Sequence, residues 1–393
     1  MEAQRVRVPL QPRSRAGHLS AGGNAPQAGQ IFRNCLARAF TLIAEKGPDT
    51  VYRGEIAAAI LDTSRKVGGK FQASDLSEWQ PEWVDPVSTN YRGWTVYELP
   101  PNGSGVGALE MLNIMEAKDL RQWPAGSAEA LHWRTQAMRL AFADLWHAVS
   151  DPRFVRVPVQ HLTSKEFAQR RSATIDPDRA NCEAVASDEL TTSRNTTYLA
   201  VIDREGNIVS SIQSIANLWG SGVNVGGMGF HLQNRGSYFR LDPKHANALA
   251  PRKRPFHTIL PAFMEKGDQH IAFGIMGGPG QPYSHGQFVS NIADYDMNIQ
   301  AAMDAPRFSG TPTNDCKIAV ESRVSQAALE GLRKRGHDIT ILGMFDLLGV
   351  GVGQAVRRDS LTGVNYGASD ARGDGAATPE GVGRPTGKTP RKR

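Results

Sequence analysis

The sequence predicts an α+β protein built around a large antiparallel sheet. Three features carry that reading: apolar residues at helical spacing through the first half, a change to period two after residue 195, and a return of helix and strand beyond residue 325.

Taken in order, residues 1–30 show no usable periodicity. They are Arg-rich and acid-poor, which reads as a disordered or unrelated N-terminus, with an organelle transit peptide as the alternative. From Cys35 to Lys46, Leu36, Phe40 and Ile43 mark one helix face, and Gly47 and Pro48 stop it. A second helix carries Ile56, Ala59 and Ile60 and ends at Gly68 and Gly69. "YRGWTVYELPPNGSG" alternates like a strand and closes in a turn; "GVGALEMLNIMEA" resumes a helix. Residues 127–151 read as a long amphipathic helix, with Ser127 as N-cap and Glu129 in the first turn, where its charge suits the helix dipole. Between Asp176 and Asn195 the apolar pattern lapses into linker composition. Residues 196–320 read as successive strands separated by Gly, Asn and Asp, with helix returning at "SQAALEGLRKRG" and strands at "DITIL" and around "VNYGASD". The resulting division is a mostly helical region 31–195, a strand-rich region 196–375 and a disordered basic tail 376–393.

Composition narrows the function classes. The 393 residues are 40% hydrophobic and 21% charged, which is globular composition. The net charge of +6 comes from scattered basic residues, densest in "RPTGKTPRKR", so no nucleic-acid surface is expected. Cys35, Cys182 and Cys316 match no metal or redox spacing and read as idle thiols of a reducing compartment. No apolar run approaches the roughly 18 residues of a membrane helix, and no secretory signal is legible. The expectations are a cytoplasmic protein with no metal, no cofactor and no membrane contact.

The stretch "SRNTTYLAVIDREGNIVSSIQS" poses the sharpest question. Its "DREGN" holds turn residues between two alternating runs; a loop of Arg204, Glu205 and a left-handed Gly206 sets the register. Counting outward, Asp203 faces Asn207, Tyr198 faces Ile212 and Thr196 faces Ser214. Two hydroxyls then meet at the open end of the hairpin. A lone strand threonine is ordinarily a half-buried β-former. A threonine at the end of a linker has another use: once freed as an N-terminus, it carries its own α-amine as a base.

Five segments in order, "NTTYLAVIDREGNIVSSIQS", "ALAPRKRPFHTILPA", "FGIMGGPGQ", "MDAPRF" and "YGASDAR", together with "EKGPDTVYRGEIA" and "YELPPNGSG" upstream, resemble the gamma-glutamyltransferase (gamma-glutamyltranspeptidase) family of N-terminal nucleophile hydrolases. The resemblance runs from about residue 30 to 375. It implies an αββα sandwich, a zymogen that cuts itself after Asn195, two cleavage products that stay associated as subunits, and acyl transfer through an ester on Thr196. Ser214 stands where the family commonly has a second threonine bonded to the nucleophile. Gly277 and Gly278 in "GIMGGPGQP" stand where the family has its oxyanion-hole pair; read from residues alone they are equally a tight turn after a strand.

The departures lie among the substrate-binding positions. Tyr238 replaces the acidic residue usual in enzymes acting on glutathione, and Arg235 stands where an amide is usual. Asn234 is retained, Ala216 replaces an asparagine beside Asn217, and His257 and Thr258 replace a serine pair. Arg235 suits either an acyl donor's carboxylate or one of the protein's own carboxylates. His257 suits a ligand contact or a core histidine. Family members also begin with a substantial region absent here, so the sandwich is expected to be incomplete at the N-terminus. The expected activity is hydrolysis or transfer of γ-glutamyl amides of small molecules. The alternatives are an acylase or amidohydrolase for acyl groups with a carboxylate but no α-amine, and an inactive remnant serving as an assembly partner.

Overall fold

The computed structural model describes residues 35–182, 195–310 and 316–379. The expected disordered N-terminus, most of the linker and most of the basic tail lie outside the described residues. The chain divides into two compact units: residues 1–83 with 215–234, and residues 84–214 with 235–393.

In the smaller unit, α1 (Cys35–Lys46) and α2 (Glu55–Lys66) appear where the apolar spacing puts them. Ile56 and Ile60 pack with Ala39, Val225 and Met228 into a core of their own. The loop 215–234 is pinned there by Gly226 N–H, which donates to Thr63 Oγ1 at 3.0 Å, and by Gly229, whose φ of 76° and close approach to Leu36 leave no space for a side chain.

The larger unit is layered. Its sheet has the order β1 (Val87–Tyr91), β2 (Trp94–Glu98), β5 (Ala262–Lys266), β6 (Gln269–Met276), β10 (Val352–Asp359), β11 (Asn365–Ser369), each pair antiparallel. A second β layer is the hairpin of β3 (Asn195–Ile202) and β4 (Ile208–Ala216); a three-stranded sheet holds β7 (Phe308–Gly310), β8 (Lys317–Glu321) and β9 (Asp338–Leu342). Helices α3 (Gly105–Glu116), α4 (Ala128–Ala148), α5 (Lys165–Ser172), α6 (Gln281–Ala293), α7 (Ile299–Asp304) and α8 (Gln326–Lys334) complete it.

Strand β6 shows how period two builds the layers. Its large side chains, Ile271, Phe273 and Ile275, alternate with Ala272 and Gly274. Phe273 meets His285 and Phe288 of α6, so the large set faces the helices. The small set faces the hairpin: Tyr198 lies on Gly274, and Ser210 Oγ reaches Phe273 O at 3.5 Å. The hairpin's outward residues Leu199, Val201 and Val209 remain 42%, 49% and 52% exposed, so no fourth layer covers them among the described residues.

Four expectations need correction. "YRGW" is the tip of the β1–β2 hairpin, with Arg92 and Gly93 both at positive φ as a two-residue turn demands. Helix α4 is capped by Ser127 as expected, with Ala130 N–H donating to Ser127 Oγ at 3.2 Å, yet it is buried almost all round rather than amphipathic. Residues 281–304 form α6 and α7, not strands; α6 is buried on every side, which erases the polar face that a helical pattern needs. Cys182 and Cys316 are joined in a disulfide, their Cα atoms 4.8 Å apart, and Cys35 alone is a free thiol. No described helix is long and apolar enough to cross a membrane.

Candidate active site

The hairpin turn sets the first pair of residues. Asp203 accepts at Oδ1 from Asn207 N–H at 2.8 Å, Asp203 N–H donates to Asn207 O at 3.1 Å, and Gly206 adopts φ 91°. At the open end Thr196 Oγ1 donates to Ser214 Oγ at 3.1 Å. Thr196 and Asp203 are seven positions apart, as are Asn207 and Ser214, so the register read from the loop holds without a bulge. Thr196 shares its face with Tyr198, which is buried against the six-stranded sheet; Thr197 points the other way and is exposed. Strand β3 runs unbroken through the Asn195–Thr196 bond.

The glycine pair lies at the same end of the sandwich. The hairpin tip at Gly206 stands over Arg358, which pairs with His270 at the start of β6, whereas Tyr198 stands over Gly274. Thr196 is two residues beyond Tyr198, and Met276 two beyond Gly274, about 7 Å further along each strand. The chain leaves β6 there through Gly277 and Gly278, the latter at φ 58°, and enters α6 through a short 3₁₀ turn. This turn is backed by Gly351, where a Cβ would stand 1.9 Å from Met276 O.

Behind Gly351 sits an ion network that joins Glu321 of β8 to residues of "MDAPRF" and "YGASDAR", motifs that carry the family resemblance without an assigned role. Arg372 donates from Nε to Glu321 Oε1 at 2.8 Å and from Nη2 to Glu321 Oε2 at 2.6 Å, and its Nη1 reaches Asp370 Oδ1 at 2.8 Å. Arg307 pairs with Asp370 Oδ2 at 2.7 Å and donates to Gly351 O at 3.1 Å; Gly353 N–H donates to Asp370 Oδ2 at 3.0 Å. Burial would raise the Glu321 carboxyl, but its hydrogen bonds from Arg372 and from the Arg307 backbone hold it below its usual value. Burial lowers Arg307 to about 10, against the pull of Asp370.

A buried glutamate and histidine also reach this strand. Glu98 Oε1 lies 2.7 Å from His285 Nδ1, and His285 Nε2 accepts Ile275 N–H at 3.2 Å, which places the ring hydrogen on Nδ1. Burial raises the Glu98 carboxyl above its usual range.

The remaining candidates fall into two groups. Arg235, Tyr238, Thr258 and His257 gather in the larger unit: Arg235 Nη1 donates to Thr258 Oγ1 at 3.2 Å, and burial raises the Tyr238 phenol and lowers Arg235. His257 N–H donates to Asn102 O at 3.1 Å; burial, then Arg235 and Arg254, push its imidazole down to about 3. Its buried Nδ1 has no hydrogen-bond partner among the described residues. Asn217 and Asn234 belong to the smaller unit and bond to each other, Asn217 N–H donating to Asn234 Oδ1 at 3.0 Å. Ala216 beside them holds φ 72°, a region that asparagine tolerates better than alanine. Among the described residues no cluster of His, Cys, Asp and Glu could hold a metal ion.

The chain has relatives among known proteins. The family model described as gamma-glutamyltranspeptidase matches residues 1–380. The chain is 37% identical over 360 residues to the glutathione hydrolase-like YwrD proenzyme of Bacillus subtilis (strain 168), covering 90% of this chain and 67% of that protein. It is 33% identical over 329 residues to the acylase ACY 1 proenzyme of Pseudomonas sp. (strain SE83), covering 82% of this chain and 58% of that one. The crystal structure of cephalosporin acylase from Bacillus halodurans matches with a TM-score of 0.85 at 39% identity, over 94% of this chain and 67% of that chain. The chain therefore spans about two thirds of these relatives, or less.

Proposed function

The chain belongs to the gamma-glutamyltranspeptidase family, and on that footing we propose that it cuts itself between Asn195 and Thr196 and then hydrolyses or transfers the acyl group of γ-glutamyl amides, glutathione-type compounds among them. The observation that carries this reading is the 3.1 Å bond between Thr196 Oγ1 and Ser214 Oγ at the inward-facing start of β3.

In the uncut chain Thr196 Oγ1 attacks the carbonyl carbon of Asn195, and the peptide becomes an ester that water hydrolyses. Thr196 then begins a new chain, and its α-amine is a base attached to the nucleophile itself. In turnover that amine takes the Oγ1 proton as Oγ1 attacks the substrate amide, and returns it to the leaving amine. Ser214 orients Oγ1. Backbone N–H groups at Gly277 and Gly278 receive the oxyanion; a turn held by Gly351 and the Arg307–Asp370 pair needs no rearrangement to do so.

A second reading keeps the chemistry and changes the acyl group. The buried Arg235, with Tyr238 at the position where the family's glutathione-acting enzymes usually carry an acidic residue, suits a donor that carries a carboxylate and no α-amine. The names of two relatives, an acylase and a cephalosporin acylase, support it.

The deciding test is a reducing denaturing gel of the purified chain. Two fragments, with Thr196 as the N-terminal residue of one, are expected; a chain that stays whole and inert would leave the third reading, an inactive assembly partner.

A further inference from the structure

The disulfide joins residues on opposite sides of the proposed cut. Cys182 lies thirteen residues before Asn195, and Cys316 lies on the far side, at the entry to β8. We propose that Cys182–Cys316 is a covalent tether between the two cleavage products, so that self-cleavage yields two chains that remain one molecule. The inference rests on the cleavage proposed above.

Before the cut the bridge closes a loop 134 residues long within one chain. After the cut that loop is open, and the same bond becomes the link between chains; Cys35 is the only other cysteine. The two sides are already docked where the bridge sits. Ala180 N–H donates to Arg335 O at 2.6 Å, Arg335 Nε donates to Pro177 O at 3.0 Å, and Asp338 N–H donates to Cys316 O at 3.0 Å. Each of the first two bonds spans the proposed cut, so cutting leaves the cysteines held together. The Cα separation of 4.8 Å falls within the span of ordinary disulfides. Cys316 is buried, which shields the bond from solution thiols. A tether of this kind makes re-association intramolecular, so dilution does not separate the subunits.

Closing the bridge needs an external disulfide as oxidant. One cysteine, as thiolate, attacks that disulfide and releases one thiol. The second cysteine, also deprotonated, displaces the remaining half as a second thiol. Two electrons and two protons pass to the carrier for each bridge formed.

The full chain is incubated with excess 2-hydroxyethyl disulfide, quenched with N-ethylmaleimide and run on denaturing gels with and without reductant. The expected result is two fragments with reductant and a single species of uncut mobility without it, whose proteolytic peptides include a Cys182–Cys316 linked pair. Cys182→Ser and Cys316→Ser, tested separately in case one fails to fold, are expected to give two fragments in both lanes while cleavage proceeds. Two fragments from the unsubstituted chain without reductant would overturn the tether and leave the cleavage standing. A single band with reductant would overturn both.

Discussion

The ring of Tyr198 lies so close on Gly274 that a Cβ at that position would stand 2.3 Å from Tyr198 Cδ2. This contact sets the height of β3, the strand that carries Thr196, above the six-stranded sheet. Gly274→Ala is expected to lift the hairpin, destabilise the fold by about 1–3 kcal/mol as overpacking does, and slow self-cleavage. Urea unfolding and a cleavage time course check it; wild-type values in both would show that the glycine is incidental.

Thr196→Ala is expected to abolish both cleavage and turnover. Thr197→Ala should leave both largely intact, because Thr197 faces outward and is exposed. Equal loss from the two variants, on gels and in amide hydrolysis, would count against the inward-facing assignment.

For Ser214→Ala, slowed cleavage and a rate lower by roughly 10- to 1,000-fold are expected, the scale of losing one positioned polar group beside a reacting centre. Ser214→Thr keeps the hydroxyl and should retain most activity. A fully active alanine variant would remove Ser214 from the mechanism.

Stability should fall on the acid side through His257. Its imidazole is held at about 3 in the folded chain against an ordinary 6.5, so the unfolded chain binds a proton that the folded chain refuses. A depressed folded value contributes stability that is whole above about pH 6.5 and is lost as pH falls toward about 3. The slope from this group approaches about 1.4 kcal/mol per pH unit within that window. His257→Asn should remove that slope in urea unfolding between about pH 7 and 5; an unchanged slope would mean that the group titrates normally.

The acyl group is read from a ratio of kcat/KM for a glutaryl amide against the γ-glutamyl amide with the same leaving group. On the second reading Arg235 repels the ammonium of the second compound and Tyr238 cannot neutralise it, so that reading expects the glutaryl amide to be preferred. Preference for the γ-glutamyl compound by about tenfold, roughly 1.4 kcal/mol, would return the site to γ-glutamyl specificity.

What could be read in the sequence was local. "DREGN" fixes its own turn, and the Thr196–Ser214 meeting follows from counting along two strands. Ser127 caps α4 through an atom three residues away. What could not be read depends on packing between distant segments. Cys182 and Cys316 are 134 residues apart, and nothing in their spacing announces a pair. "QPYSHGQFVSNIA" hides its helical period because α6 is enclosed on all sides. Arg307, Asp370 and Arg372 lie in motifs whose letters carry no role by themselves, and they are buried in one network with Glu321. The Arg92-Gly93 turn is local, but in "YRGW" the alternation of the flanking strands masks the two-residue loop.

The Glu321–Arg372 pair has a bearing on timing during synthesis. Arg372 leaves the ribosome well after Thr196, Ser214 and the glycine turn have been made; until it arrives Glu321 has only the Arg323 guanidinium, and Asp370 is not yet there to hold Gly353 and Arg307. The Gly277-Gly278 turn, proposed above to receive the oxyanion, thus lacks the Asp370 part of its support while the chain is nascent. The proposed cut would then follow translation of residues 196–372, and a ribosome-stalled chain ending just short of residue 370 should remain whole.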